Sequence, residues 1–504
     1  MSAEIEAAGL VTVAPNQAPA AVPVDLGHPS RRMRARRAAR LAVSASRHLG
    51  PLVARRVRRR PVAQRDLAPR LRHVFEDLGA TFLKYGQLIA SAPTLFGEDM
   101  AAEFRATLDT GPPMSLEEVR AAVAAELGRP PEEVFATFDA EPLGRASLAV
   151  VHRASTHEGR TAAVKVLRPG IEETIATDLA LMERLFRVVA RQLPDLGGPL
   201  TDLLQGLRLQ LSEELDLRNE AAIMRYFREL PGRSDLPLVA VPEPYAELSG
   251  RRVLTMEFLD GFPVDDLARI AELDLDPRPV VEQVVKAWFM TGVRGGIFHG
   301  DVHAGNIMLL RDGRIALIDW GIVGRLDAET HQLFRKFIAG GLGDEAALDD
   351  VVEYFRDQYQ PIAEKLGLPQ DALLQMFRQQ AKEIMTRPFG EVSLAELMLL
   401  PQQEVNRARR QAEAERLGLT DDEAARRLRT LRGRARRWRE LRRLRREAAV
   451  EMPAIDHGMV LLGKQLAYFE RYGKLYLADV PLLHDPVFFG ALLAAPPLDP
   501  EAQR

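Results

Sequence analysis

The chain has 504 residues, 46% hydrophobic and 28% charged, which excludes a fibrous or largely disordered protein and leaves apolar material for two or three globular domains. It contains no cysteine, so disulfides, thiolate nucleophiles and cysteine-ligated zinc are excluded, in keeping with a reducing compartment. Net charge is only −3, so any attraction to a membrane or nucleic acid has to come from local patches.

In chain order, residues 1–30 carry acids and prolines where a secretory signal has basic residues and an unbroken apolar run, and they read as a disordered leader. Residues 31–60 hold twelve arginines and no Asp or Glu. Such a segment is either a helix that attracts anionic lipid or RNA phosphate, or a solvated charged face. Residues 67–136 read as helical, with Leu71, Val74, Phe75, Leu78, Phe82 and Leu83 following a period near 3.6. Pro112-Pro113 interrupts this region, and Ser115 followed by Glu118 has the spacing of a capping box that starts another helix.

From residue 138 the pattern changes to short Val- and Ala-rich segments. SLAVVHRA, a turn at His157-Glu158-Gly159 and TAAVKVL predict a hairpin. Helical runs are expected over 171–193 and 200–230, then strands at 238–241 and 252–258. Beyond Gly261 the chain reads as mainly helical, interrupted by IMLL-RDGR-IALI, where Asp312-Gly313 signals a second hairpin. Residues 426–446 hold twelve further arginines against the single acid Glu440. No stretch is long and apolar enough to span a bilayer, the most apolar C-terminal run being 488–498, so attachment to a membrane would be peripheral.

The second hairpin gives meaning to three polar residues. Asp301 and Asn306 precede it and Asp319 follows it, so the hairpin brings all three to one end. A nucleoside triphosphate needs such an arrangement: Mg²⁺ prefers oxygen ligands, which Asn306 and Asp319 supply, while Asp301 orients an incoming hydroxyl. Lys165, in the strand AAVKVL, is expected to face inward and to need a carboxylate. Candidates are Glu213, Glu214, Asp216 and Glu220; on an unbroken helix Asp216 and Glu220 share a face and Glu213 falls close to it. His299 and His303 flank Asp301, but no further histidine repeats a ligand spacing for zinc, and His299 is expected to brace the loop.

Five motifs, KYGQ (84–87), AVKV (163–166), EELDLRNEA (213–221), HGDVHAGN (299–306) and IDWG (318–321), together resemble the UbiB/AarF/ADCK family of atypical protein-kinase-like proteins over about residues 70–340. HGDxHxGN by itself also occurs in small-molecule kinases of the aminoglycoside and choline type, and FLKYGQ separates the two groups. The resemblance implies an α+β, bilobal protein-kinase-like fold with a small β-containing N-lobe, a mainly helical C-lobe, a helical N-terminal extension carrying KxGQ and a helical C-terminal tail. The corresponding ranges are 1–66 for the leader and Arg-rich segment, 67–136 for the KxGQ extension, 137–258 and 259–400 for the lobes, and 401–504 for the Arg-rich tail.

The resemblance further implies that Lys165 pairs with Glu220, that Asp301 is the catalytic-loop aspartate, and that Asn306 and Asp319 bind metal. Gly144, Arg145, Ala146, Ser147 and Glu257 would join Lys165 in holding nucleotide. Lys84, Gly86 and Gln87 would fold over the cleft, with Lys84 meeting Glu214 and with Asp216 completing the E-x-D motif. ATP and Mg²⁺ are the implied cofactors, in an ATPase or kinase linked to quinone or isoprenoid lipid metabolism. The implied location is cytoplasmic, with peripheral attachment to an anionic membrane as an option; no nucleic acid is expected. The alternatives are a small-molecule phosphotransferase and a pseudokinase scaffold. This chain departs from the family at GRASLAVVH, where Gly144-Arg145 and Val150 replace Ala-Ala and Gln, and at Ala304 and Trp320.

Overall fold

A computed structural model describes residues 19–58, 64–91, 98–105, 111–192 apart from 112, 197–230, 239–366 apart from 274, parts of 375–391, and 457–495 apart from 482 and 484. They form two compact bodies. The first is built from the described residues of 1–181 and 207–328, the second from those of 182–206 and 329–495.

The first body opens with residues expected to belong to a disordered leader. Residues 19–30 instead follow a defined path without helix or strand. Val22 N–H donates to Asn219 Oδ1 and Val22 C=O accepts from Asn219 Nδ2, both at 3.0 Å, while Val24 N–H donates to the Ser212 carbonyl at 2.9 Å. Arg325 Nη2 donates to the Pro19 carbonyl at 2.9 Å. These bonds replace water as partner of the backbone, which is what a Pro-rich segment lacking secondary structure requires to stay in place.

Helix α1 (Arg31–Val57) carries the first arginine cluster, followed by α2 (Gln64–Leu78) and α3 (Ala80–Ser91). Gly79 separates α2 from α3 with φ 79°, a left-handed conformation that ends a helix at little cost only for glycine. The inner face of α1 is pinned: Arg37 makes a two-pronged pair with Asp178 at 2.6 and 2.8 Å, and Ser44 Oγ donates to Asp77 at 2.8 Å. Helix α4 (Glu98–Arg105) closes a small core in which Phe104 is fully buried and edge-on to Phe75.

Helix α5 (Leu116–Leu127) starts at the expected capping box and ends at Gly128 in the left-handed region. After the short α6 (Pro131–Val134) come β1 (Thr137–Arg145), β2 (Ala149–Ser155), β3 (Thr161–Leu167) and, later, β4 (Val253–Glu257), forming one antiparallel sheet in that order. Alternation along β3 divides its side chains between two surroundings. Val164 and Val166 pack with Val119, Val123 and Phe135 beneath the sheet, each buried valine contributing about 1.5–3 kcal/mol. Lys165 and Leu167 therefore face the other way, into a cleft.

Helix α7 (Ile171–Gln192) follows the sheet, and the run expected to be one helix over 200–230 is two: α8 (Gly197–Glu214) and α9 (Leu217–Glu229). Asp216 is the N-cap of α9, its carboxylate accepting from Arg218 N, so it is not a helix-face neighbour of Glu220 as an unbroken helix would have it. The strand expected at 238–241 reduces to a single bridge between Ala240 and Ala316, residue 238 lying outside the described residues.

β5 (Gly261–Pro263) pairs with β7 (Ile307–Leu310), which pairs with β8 (Ile315–Leu317); the second hairpin forms with Gly313 at φ 83°. Helices α10 (Leu267–Glu272) and α11 (Arg278–Gly295) precede β6 (Ile297–His299), which pairs with β9 (Val323–Arg325). The segment between β6 and β7 and the one between β8 and β9 carry the polar residues singled out in the sequence.

In the second body α12 (Ala328–Gly341) and α13 (Glu345–Leu366) are tied by Lys336 and Asp350 at 2.8 Å. Helices α14 (His457–Tyr476) and α15 (Pro486–Ala494) follow, with Gly473 giving the Phe389 ring room that a Cβ would occupy. The arginine cluster at 426–446 lies outside the described residues. Among the described residues no helix is long and apolar enough to cross a membrane.

Candidate active site

Separate elements of the first body supply the walls of an open-mouthed cleft. The loop Ala146–Leu148 and strand β3 form one side, the α8–α9 corner another, Lys84 of α3 a third, and Asp319 with Gly321 the last. The convergence is tight around Gly321: a methyl group placed on it would lie 3.5 Å from Asp319 Oδ1, 3.7 Å from Glu220 Oε2 and 3.8 Å from Glu214 Cγ.

Lys165 is the hub. Its Nζ donates to both carboxylate oxygens of Glu220, at 3.0 and 2.9 Å, and to Asp319 Oδ1 at 2.7 Å. Burial works against the ammonium charge, but Asp319 and Glu220 outweigh it and hold the lysine well above its ordinary value. Glu220 is 3% exposed, and burial pushes its carboxyl upward against the pull of Lys165. Asp319 is 42% exposed toward the cleft; burial opposes its charge, and Lys165 and Lys84 outweigh that and hold it below the usual carboxylate range. Its backbone has φ 58°, uncommon outside glycine though more accessible to Asp than to most residues.

A second ion pair lines the same cleft. Lys84 Nζ lies 2.7 Å from Glu214 Oε2, the two side chains being 10% and 11% exposed. Asp216, two residues on, is held by Arg218, whose Nε and Nη2 reach its oxygens at 2.9 and 2.6 Å. Gln87 lies one turn from Lys84 on α3, half-buried, and Gly86 is buried.

His299 sets the distance between the loops on either side of the hairpin. Asp301 N–H donates to its Nδ1 at 3.1 Å, so Nε2 carries the proton and donates to the Ile318 carbonyl at 3.3 Å. Burial lowers its pKa to about 4, which keeps the ring neutral. The ring meets Trp320 edge-on at 4.6 Å between centroids, and Trp320 Nε1 donates to the Leu317 carbonyl at 2.8 Å. Asn306 Nδ2 donates to the Asp301 carbonyl at 2.9 Å, and the Asn306 carbonyl accepts from Ile318 N–H at 3.0 Å. His303 places Nε2 3.9 Å from Asp301 Oδ2 while its Nδ1 accepts from Gly305 N–H at 3.1 Å. One bonded network thus connects Asp301, Asn306 and the residue preceding Asp319.

The nucleotide-binding candidates divide. Ala146 and Ser147 line the cleft. Gly144 and Arg145 are exposed at the end of β1, paired with Val151 and Val150, and do not line it. Glu257 ends β4, where its carboxylate accepts from Glu243 N–H at 3.2 Å and lies 3.4 Å from Arg228 Nη1. One residue that was weighed only as a partner for Lys165 and one not singled out from the sequence also belong to the site. Glu213 lines the cleft, and Arg168 holds the loop 146–148 from behind. Arg168 follows β3 in VLRPG, a position where an arginine is ordinarily solvated; only its burial distinguishes it.

An ABC1 atypical kinase-like domain profile matches residues 107–348. The chain is 32% identical over 432 residues to an uncharacterised protein of Mycobacterium tuberculosis strain H37Rv, covering 85% of this chain and 78% of that one. It is 39% identical over 277 residues to an uncharacterised chloroplastic aarF domain-containing protein kinase of Arabidopsis thaliana, covering 53% and 50%. With a probable protein kinase UbiB of Cellvibrio japonicus it shares 34% over 345 residues, 66% of this chain and 59% of that one. Four of the five motifs place residues in the cleft lining, HGDVHAGN (299–306) being the exception. By these similarities the chain belongs to the UbiB/AarF/ADCK family of atypical kinase-like proteins.

Proposed function

We propose that this protein binds ATP with Mg²⁺ in the cleft described above and acts as an ATPase or phosphotransferase of the UbiB type, in the service of quinone or other isoprenoid lipid metabolism. The observation that carries the reading is Lys165, whose ammonium bridges Glu220 and Asp319 at the cleft. An ammonium has three N–H donors. Two are directed at the Glu220 oxygens, and the third, now on Asp319, is the one a phosphate oxygen would take.

The donor set suits a hard cation. Asn306 turns its amide nitrogen to the Asp301 carbonyl, leaving the amide oxygen for a ligand, and Asp319 offers a carboxylate to the cleft. Bound there, Mg²⁺ would supply charge neutralisation on the phosphate oxygens. Asp301, 12% exposed and steadied by His299 and Asn306, orients the attacking hydroxyl or water. Retention of Lys165, Glu220, Asp301, Asn306 and Asp319 speaks against a pseudokinase. A small-molecule phosphotransferase needs an open acceptor side, and the Lys84–Glu214 pair, which occupies part of the cleft wall, speaks against it.

Helix α1 supports work at a lipid surface. Arg32, Arg36, Arg40, Val43 and Arg47 fall on one exposed stripe, with Val43 68% exposed and no acidic residue in the helix. The decisive experiment is ATP turnover by the purified chain with and without anionic liposomes and a panel of isoprenoid phenols, alongside Lys84→Ala. Turnover that Lys84→Ala alters supports the reading. Absence of both turnover and nucleotide binding in every condition overturns it.

A further inference from the structure

The loop between β1 and β2 has an unusual backbone arrangement. Arg168 engages three successive carbonyls: its Nη2 donates to Ala146 O at 3.0 Å, its Nε to Ser147 O at 3.1 Å, and its own N–H to Leu148 O at 2.9 Å. In an extended strand successive carbonyls alternate in direction. Here two in a row turn to one guanidinium, which is 8% exposed as a residue. Because C=O and N–H of a trans peptide point oppositely, the N–H groups of Ser147 and Leu148 are turned the other way, side by side.

Neither of those N–H groups donates to an acceptor among the described residues. Both belong to buried residues, Ser147 at 9% and Leu148 at 4% exposure, where an unpaired amide is costly. Both residues line the cleft that also holds Lys84 and Lys165. Two adjacent outward N–H groups form a concavity suited to an anion. The loop is also gripped from outside: Gly111 N–H donates to Arg145 O at 2.8 Å, and a Cβ on Gly111 would lie 2.0 Å from Ala146 O and 2.9 Å from Arg168 Nη2. Only glycine fits there without displacing the loop.

We propose that Arg168 is a positioning residue that, by holding the carbonyls of Ala146, Ser147 and Leu148, aims the Ser147 and Leu148 N–H groups at a nucleotide phosphate and so makes the cleft select phosphorylated nucleosides over free ones. The proposal rests on the nucleotide reading given above. Arg168 touches no ligand itself. Lysine cannot replace it, because one ammonium does not span two carbonyls as a planar fork does.

The test compares the parent chain with Arg168→Gln, Arg168→Lys and Gly111→Ala, using calorimetry for ADP and pyrophosphate and ligand-observed NMR for adenosine. Each variant is expected to weaken ADP and pyrophosphate by 10- to 100-fold, the worth of one or two charge-assisted hydrogen bonds, while adenosine changes less than about twofold. Gly111→Ala alters no charge and carries the test should the arginine variants fail to fold. Equal losses for ADP and adenosine, or no loss, overturn the role of Arg168 while leaving the nucleotide reading intact. Failure of the parent chain to bind ADP, adenosine and pyrophosphate overturns both.

Discussion

Replacing Lys165 by methionine keeps the length of the side chain and removes the charge, so the consequence is set by what remains of its partners. Asp319 is 42% exposed and recovers solvent. Glu220 is 3% exposed and loses the donor to both of its oxygens, which leaves a buried carboxylate uncompensated. Breaking a buried pair on one side costs about 3–5 kcal/mol. The folded variant can limit that cost by protonating Glu220, whose folded pKa then rises further above the ordinary glutamate value of about 4.3.

The sign follows: between 4.3 and the raised value the folded state binds more protons than the unfolded one, so stability falls as pH rises through that window. Lys165→Met is therefore expected to lose about 3 kcal/mol or more at pH 8 and to recover up to about 1.4 kcal/mol per pH unit on acidification. Pairing it with Glu220→Leu removes the stranded charge and is expected to return stability to within about 1 kcal/mol of the parent. Urea unfolding followed by tryptophan fluorescence reads this, because Trp288 and Trp320 are buried in the first body. A single variant as stable as the parent at pH 8, or a double variant worse than either single one, would refute the account of the pair.

Asp301→Asn is expected to keep MgATP affinity within about threefold and to lower turnover at least about 100-fold, measured by phosphate release. His299 has its folded value near 4 against about 6.5 when unfolded, so the unfolded chain takes up more protons between those values and stability falls as pH drops. That contributes about 2 kcal/mol of loss between pH 7 and pH 5, which His299→Gln should abolish in paired urea titrations. Converting Arg36, Arg40 and Arg47 together to Ala should cut co-sedimentation with anionic vesicles by tenfold or more at low salt and leave the melting temperature unchanged, since all three are exposed.

The parts of the site that could be read in the sequence are those carried by local chemistry. Asp312-Gly313 specifies its turn by itself, and with it the approach of the segments bearing Asp301, Asn306 and Asp319. The alternation of β3 points Lys165 away from Val164 and Val166 whatever else the chain does. The break between α8 and α9 was harder to see, because LSEELDLRNE has no Gly or Pro. Its signal was Asp216 itself, an N-capping residue type that also passes for one more acid on a charged face. Arg168 and Gly111 were invisible for a different reason. Their roles arise from the approach of a loop distant in sequence from Gly111, and nothing in LRPG or TGPP encodes that closeness. The Asn219 contacts with Val22 are more remote still, 197 residues apart.

That remote contact has a practical side. The stretch from Pro19 to Val24 is stitched to Ser212, Asn219 and Arg325, at the same corner that presents Glu214 and Glu220. A shortened version starting at Arg31 strips that corner of four hydrogen bonds while leaving every motif intact. Measurements made on trimmed and untrimmed preparations therefore report on two differently braced proteins.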